Sequence, residues 1–184
     1  MKLISLNIWG GYVRNPLLDF ISAYRDVDVF CLQEVYHNAP QKNSTDDRDV
    51  SLNIFSDIQQ LLPNHHGIFK PVVQGVYGNA IFVNKAITVL KEGEVPIFHN
   101  PRYPGIGPKH DRNLHWMQCF HEGCGFLVAN VHGLWNGLGK ADTPDRIEQS
   151  EKIKKFMNTV KGPKVLCGDF NLRPTTNSVA MVAE

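Results

Sequence analysis

Five polar residues stand at or just beyond the ends of short apolar runs. Asn7 closes the run at 2–7, Glu34 follows 28–33, His132 follows 127–131, and Asp169 and Asn171 close 164–170. In α/β proteins a polar group at the carboxyl end of a buried strand is the expected address of a site. Asn, Glu and Asp present oxygen donors, which suit a hard cation such as Mg²⁺. Asp169 and Asn171 are two apart, so an extended backbone would turn them the same way. His132 can donate a hydrogen bond to an anionic oxygen. Together these residue types point to metal-assisted attack of water on a phosphate ester. Taken singly, each has a plain structural reading: Asn7, Asp169 and Asn171 as turn residues, Glu34 as a surface charge, His132 as a satisfied turn histidine. The chemistry is carried by the combination.

The elements that must position these groups follow from periodicity. Residues 2–7 alternate around Leu3, Ile4 and Leu6. Asn15-Pro16 reads as a helix start, with Asn as cap and Pro at the first helical position. Leu17, Leu18, Ile21 and Tyr24 fall on one face of that helix. The apolar run at 28–33 then completes a βαβ unit, which makes its two strands parallel. The spacing predicts a helix over 50–62, stopped by Pro63, and strands over 67–73, 79–84 and 87–90. Residues 99–111 read as a long Pro- and Gly-containing loop. Residues 113–121 and 125–131 flank Glu122-Gly123-Cys124 as a hairpin. Thr143-Pro144 opens a helix to about residue 160, a strand follows at 164–170, and another helix begins near Asn177.

Composition bounds the alternatives. The 184 residues suit one domain, and 42% apolar with 20% charged residues is ordinary globular usage. The formal charge of +1 gives no support to a broad polybasic face. No run approaches the roughly 20 apolar residues that span a bilayer, and the amino terminus turns polar too early for a secretory signal. The four cysteines form no C-x-x-C pair, which argues against a zinc ribbon. A Cys119–Cys124 bridge would need an oxidising compartment, and the reading adopted is a reduced, cytoplasmic chain. The remaining histidines (His37, His65, His66, His99, His110, His115, His121) show no metal spacing and read mostly as surface residues. No G-x-G-x-x-G follows the first strand, so a dinucleotide-binding oxidoreductase has no support.

At the same residues the chain resembles the endonuclease/exonuclease/phosphatase superfamily. Leu6-Asn7-Ile8-Trp9 is similar to its first motif, and Cys31-Leu32-Gln33-Glu34-Val35 to its L-Q-E motif. Gly78-Asn79-Ala80-Ile81 resembles the strand usually found next. Asn130-Val131-His132 is similar to N-T-H with Val for Thr, Arg146 and Gln149 to R-x-x-Q, and Gly168-Asp169-Phe170-Asn171 to the G-D-x-N motif. The resemblance implies a two-sheet β-sandwich flanked by helices, a four-layer α/β/β/α domain over residues 1–184. It implies that Glu34, helped by Asn7, holds Mg²⁺, with Mn²⁺ as the alternative. It further implies that Asp169 orients or deprotonates the attacking water, and that Asn171 and His132 hold the phosphate oxygens. Arg146 is expected to be structural. The superfamily usually ends in a further strand with an S-D-H motif, and no Asp-His dipeptide occurs in this chain. The expectation is therefore a domain lacking its last C-terminal elements, with weakened activity.

The substrate class stays open at this level. A phosphodiester, nucleic acid or phospholipid head group would each present the phosphate, and no protein partner is expected. Lys42, Arg48, Arg102, Lys109, Arg112 and Lys140 are local candidates for a phosphate track. Trp9, Tyr12, Tyr103 and Trp135 lie in expected loops, where they could stack bases, close a lipid or small-molecule pocket, or pack the domain's rim. Arg112, Trp9 and Trp135 are the candidate substrate contacts. The rival class is a binding module on the same fold that has lost catalysis.

Overall fold

The structure, a computed structural model, describes residues 1–40, 51–100 and 110–183. Among the described residues, eight strands form two four-stranded sheets. The first contains β1 (Leu3–Asn7), β2 (Val29–Tyr36), β3 (His65–Val73) and β4 (Tyr77–Asn84), in the order β1-β2-β4-β3. The second contains β5 (Thr88–Phe98), β6 (Arg112–His121), β7 (Cys124–His132) and β8 (Lys164–Asp169), in sequence order. Helices α1 (Arg14–Ala23) and α2 (Ile54–Leu61) cover the first sheet, and α3 (Pro144–Thr159) and α4 (Asn177–Ala183) the second. The four layers are those expected from the sequence.

Side-chain alternation sorts the strands' residues into these layers. Phe30 and Leu32 of β2, with Ala80 and Phe82 of β4, pack against Ile21, Ile54, Ile58 and Leu62 on the helix side. Their neighbours Val29, Cys31, Ile81 and Val83 face the other sheet, meeting Met117, Cys119 and Val128. Leu114, Leu127, Ala129 and Val131 face α3, where Ile153 and Phe156 complete the layer. Burying a large aliphatic or aromatic side chain in any of these layers contributes about 1.5–3 kcal/mol.

Two parallel pairs set the position of the site. β1 pairs parallel with β2 and β7 parallel with β8, each through a helical crossover. The carboxyl ends of all four strands therefore open at one end of the sandwich.

Several sequence expectations change in detail. α1 begins at Arg14 with Val13 as its cap, so Pro16 sits third in the first turn, where its missing N–H has no intrahelical acceptor to lose. α2 begins at Ile54 rather than near residue 50. β5 runs on to Phe98, because it pairs along the full length of β6. The four cysteines are free thiols, with Cys119 buried and Cys124 exposed at the hairpin, so no bridge joins them. His65, His110 and His115 are buried rather than on the surface. Strand pairing carries His65 and His115 inward with their neighbours. Lys42, Arg48, Arg102, Tyr103 and Lys109 lie outside the described residues.

Candidate active site

Period-two alternation delivers the site residues as the last members of the rows facing between the sheets. Leu3 and Ser5 lead to Asn7 on β1, Val128 and Asn130 to His132 on β7, and Cys167 to Asp169 on β8. His132 and Asp169 are direct partners across the β7/β8 pair.

Glu34 needs a further device. It lies inside β2 rather than after it, in the left-handed region at φ 60. Leu32 pairs with Ala80 and Val35 with Gly78, so Gln33 and Glu34 together oppose the single residue Asn79. This is a β-bulge, which re-aims a side chain and shifts the alternation of the residues beyond it. Without it Glu34 would point into the helix-side core beside Leu32. With it Val35 takes the helix-side place and Glu34 turns towards the strand ends. A non-glycine residue at positive φ costs roughly 1–3 kcal/mol, and such residues cluster at functional sites.

The groups converge. Asn7 Nδ2 donates to Glu34 Oε1 at 2.9 Å and to Asp169 Oδ2 at 3.0 Å, tying three strands together. Asn7 Oδ1 accepts from the Trp9 amide at 3.0 Å. His132 Nε2 stands 3.6 Å from Glu34 Oε1. Burial, helped by the positive charge of Arg112 and by His110, holds the His132 pKa well below the usual histidine value, so this approach joins a neutral imidazole to a carboxylate and is not an ion pair. Asn171 is held differently from the expectation of extended backbone. It lies beyond β8 at φ 53, its amide N–H donates to Asp169 Oδ1 at 2.9 Å, and its Nδ2 donates to Gly133 O at 3.0 Å. The Asp-x-Asn spacing is thus turn chemistry that also fixes the site.

Close crossing of β7 and β8 is made possible by glycine. Gly168 sits at φ 140, and a Cβ there would lie 1.9 Å from Val131 O. Gly133 N–H donates to Asp169 O at 2.7 Å, and a Cβ on Gly133 would meet Phe170 O. Arg146, as expected, bonds the backbone, and Gln149 does the same. The Arg146 guanidinium donates to the carbonyls of Leu134, Gly139 and Ala141, and Gln149 Oε1 accepts from Leu134 N–H, so the pair pins the loop that leaves His132.

Two residues outside every motif, Tyr77 and His110, complete the site, together with Asn79 from the Gly78-Asn79-Ala80-Ile81 motif. Tyr77 donates its hydroxyl to Glu34, and burial with the Glu34 charge raises its pKa. The His110 ring meets Tyr77 edge-on at 5.4 Å and His132 at 6.2 Å. Burial and Arg112 bring His110 down to about 4. Asn79, opposite the bulge, donates to Asn113 Oδ1 at 3.0 Å. Arg112, a sequence candidate, is buried here. Burial lowers its pKa to about 10 against the raising charges of Tyr77, Glu34 and Asp169, so it stays cationic at neutral pH. Trp9 stands at the rim, 54% exposed at φ 50, its ring tilted against Tyr12 with centroids 4.9 Å apart. Trp135 is half-buried three residues after His132. Alternation within 112–121 places Asn113, the partner of Asn79, and His115 on the face of β6 that carries Met117 and Cys119.

The donor set fits a hard cation. Two carboxylate oxygens from opposite sheets approach one amide nitrogen, whose N–H groups stand where positive charge is required. Among the described residues no group of three His, Cys, Asp or Glu side chains forms a metal cluster, so a cation here would depend on Glu34, Asn7 and water or substrate oxygens. No helix among the described residues is long and apolar enough to cross a membrane.

Comparison with known proteins agrees with the fold and the motifs. The chain is similar to Bacteroides thetaiotaomicron mannosyl-6-phosphatase Bt3783 at TM-score 0.74 and 20% identity, covering 99% of this chain and 69% of that one. It is similar to the catalytic domain of human Nocturnin, crystallised with a sulfate anion, at TM-score 0.71 and 21% identity, covering 100% of this chain and 69% of that one. Truncated Caenorhabditis elegans TDP2 gives TM-score 0.63 and 22% identity, covering 94% of this chain and 62% of that one. The chain thus spans about two thirds of the length of these structures. No curated protein matches it in sequence. The family model described as endonuclease/exonuclease/phosphatase matches residues 4–180, and the chain belongs to that family of phosphoester hydrolases.

Proposed function

We propose that this chain carries the catalytic centre of a Mg²⁺-dependent phosphoester hydrolase, with Mn²⁺ able to substitute. The carrying observation is the Asn7 amide that joins Glu34 to Asp169 across the two sheets. A cation at Glu34, with the Asn7 amide turned to present its oxygen, would neutralise charge on the phosphate and polarise the phosphoryl group. Asp169 orients the attacking water and accepts its proton; its carboxylate is held by Asn7 on one oxygen and the Asn171 amide on the other. His132, neutral and at the cleft, donates to a phosphate oxygen, and Asn171 does so through the amide hydrogen not engaged by Gly133. These fixed donors stabilise the charge that accumulates in the transition state. Arg112 adds positive charge from within the wall.

Two similar structures support a phosphate-like oxyanion as the bound group: one is named a sugar phosphatase and the other holds a sulfate. Trp9 and Trp135, at the rim, are the contacts proposed for the alcohol side of the ester, and the cytoplasm is the proposed compartment. Hydrolysis of bis-p-nitrophenyl phosphate with added Mg²⁺ or Mn²⁺ tests the reading. The wild-type chain should show cation-dependent turnover, and Glu34→Ala should lose about 10²-fold or more. Equal rates in the two proteins would refute it.

A further inference from the structure

The turn that follows β1 is strained. Trp9, Gly10 and Gly11 all lie in the left-handed region, at φ 50, 64 and 72. Glycine visits that region freely, whereas a side chain makes it costly, so the strain of the turn falls on Trp9. Its two ends are anchored. Ile8 is buried and its N–H donates to Gln33 O at 3.1 Å, and the Gly11 N–H donates to Ile8 O at 2.8 Å. Gly11 lies so close to α2 that a Cβ there would stand 3.0 Å from Ile54. Between these anchors the Trp9 N–H donates to Asn7 Oδ1 at 3.0 Å, an Asx-turn made by a residue of the candidate site.

The Asn7 amide therefore works in two directions. Its Nδ2 donates to Glu34 and Asp169, and its Oδ1 holds Trp9. A hard cation at Glu34 takes oxygen donors and is repelled by N–H groups. Turning the amide to present Oδ1 to that cation sets Nδ2 against the Trp9 N–H, donor facing donor, and the Asx-turn opens. Resting on the cation site proposed above, we propose that Trp9 is a cation-set element of the cleft rim. With Asn7 Oδ1 on its amide, Trp9 is held at positive φ with its ring against Tyr12. When Asn7 gives that oxygen to the cation, Trp9 leaves the left-handed region and its indole leaves Tyr12. Gly10 absorbs the backbone change, since glycine accepts either sign of φ. Coupling between two such events is reciprocal. A change that relieves the strain of the closed turn must weaken cation binding: Trp9→Gly should lose roughly fivefold or more in affinity.

The experiment is a Mg²⁺ titration of the 184-residue chain, followed in parallel by tryptophan emission and by calorimetry. Emission should change with the same midpoint as the heat. The change should vanish in Trp9→Phe, which keeps the strained backbone and therefore the affinity, and in Glu34→Gln, which loses the cation. Saturable heat with unchanged emission, an emission change that survives in Trp9→Phe and so comes from Trp116 or Trp135, or equal affinity in Trp9→Gly would overturn the proposal and leave the cation site standing. No saturable heat in the wild type would overturn both. If Trp9→Gly does not fold, the wild-type and Trp9→Phe titrations still decide.

Discussion

On the helix side of the first sheet, Phe30, Leu32, Ala80 and Phe82 meet Ile21, Ile54, Ile58 and Leu62, and all eight are apolar and fully buried. Between the sheets, where the opposite face of these strands meets β7, the rows are graded. They begin in Val29, Ile81, Val83 and Val128, pass through Gln33, Asn79 and Asn130, and end in the candidate active site. Gln33 Nε2 donates to Asn130 Oδ1 at 2.6 Å, and Asn130 Nδ2 donates to the carbonyls of Leu32 and Ala80. The outer layer is held chiefly by apolar burial. The inner layer gives up part of that stabilisation for hydrogen bonds that fix where the strand ends sit, and it tolerates polar groups only because they are paired.

The largest effect expected of a single methyl group lies where the two regions meet. Gly168→Ala would drive a Cβ into Val131 O and force a left-handed φ on alanine. It should cost about 4 kcal/mol or more in urea unfolding. A near-neutral result would show that β7 and β8 can separate freely beneath the site.

A pH series separates the layers next. His110 and His115, both in the inner layer, keep folded-state values of about 4 and about 3, lowered chiefly by burial. His132 shifts the same way. The unfolded chain takes up protons as pH falls through the ordinary histidine value near 6.5, and the folded chain does not. Stability is therefore greatest above pH 6.5 and falls progressively as pH drops, down to about 4 for His110 and about 3 for His115, by on the order of 3 kcal/mol or more for each. A melting temperature flat from pH 7 to 5 would contradict burial of these rings in their neutral form.

Paired truncations sharpen the contrast. Ile58→Ala in the outer layer should cost about 3 kcal/mol through lost burial and cavity, leaving cation binding at the site unchanged. Asn130→Ala should cost about 2 kcal/mol, because it strands two carbonyls and the Gln33 amide, and should also weaken cation binding by loosening β2 and β7. Identical behaviour of the two variants would remove the distinction between the layers.

Much of this was legible in the sequence because strand alternation carries side-chain direction. Apolar runs ending in Asn7, His132 and Asp169 located the strand ends, and parallel pairing of β1 with β2 could be inferred from the intervening helix. The Glu34 bulge was not legible, since a one-residue insertion in the ladder depends on what Asn79 does across the sheet. Tyr77 and His110 escaped for the same reason: neither closes an apolar run, and each joins the site only through contacts with residues distant in the chain. Asn171 stands beside Asp169 for a different cause than the spacing suggested, a turn in place of extended backbone.

The central claim is that Asn7, Glu34 and Asp169, drawn from three strands, make one hard-cation site. Calorimetric titration of the folded chain with Mn²⁺, in wild type, Glu34→Gln and the distant control Glu92→Gln, tests it most directly. One binding event that weakens at least about tenfold in Glu34→Gln and persists in Glu92→Gln is the predicted result. Equal affinity in all three proteins, or no saturable binding to the wild type, would contradict it.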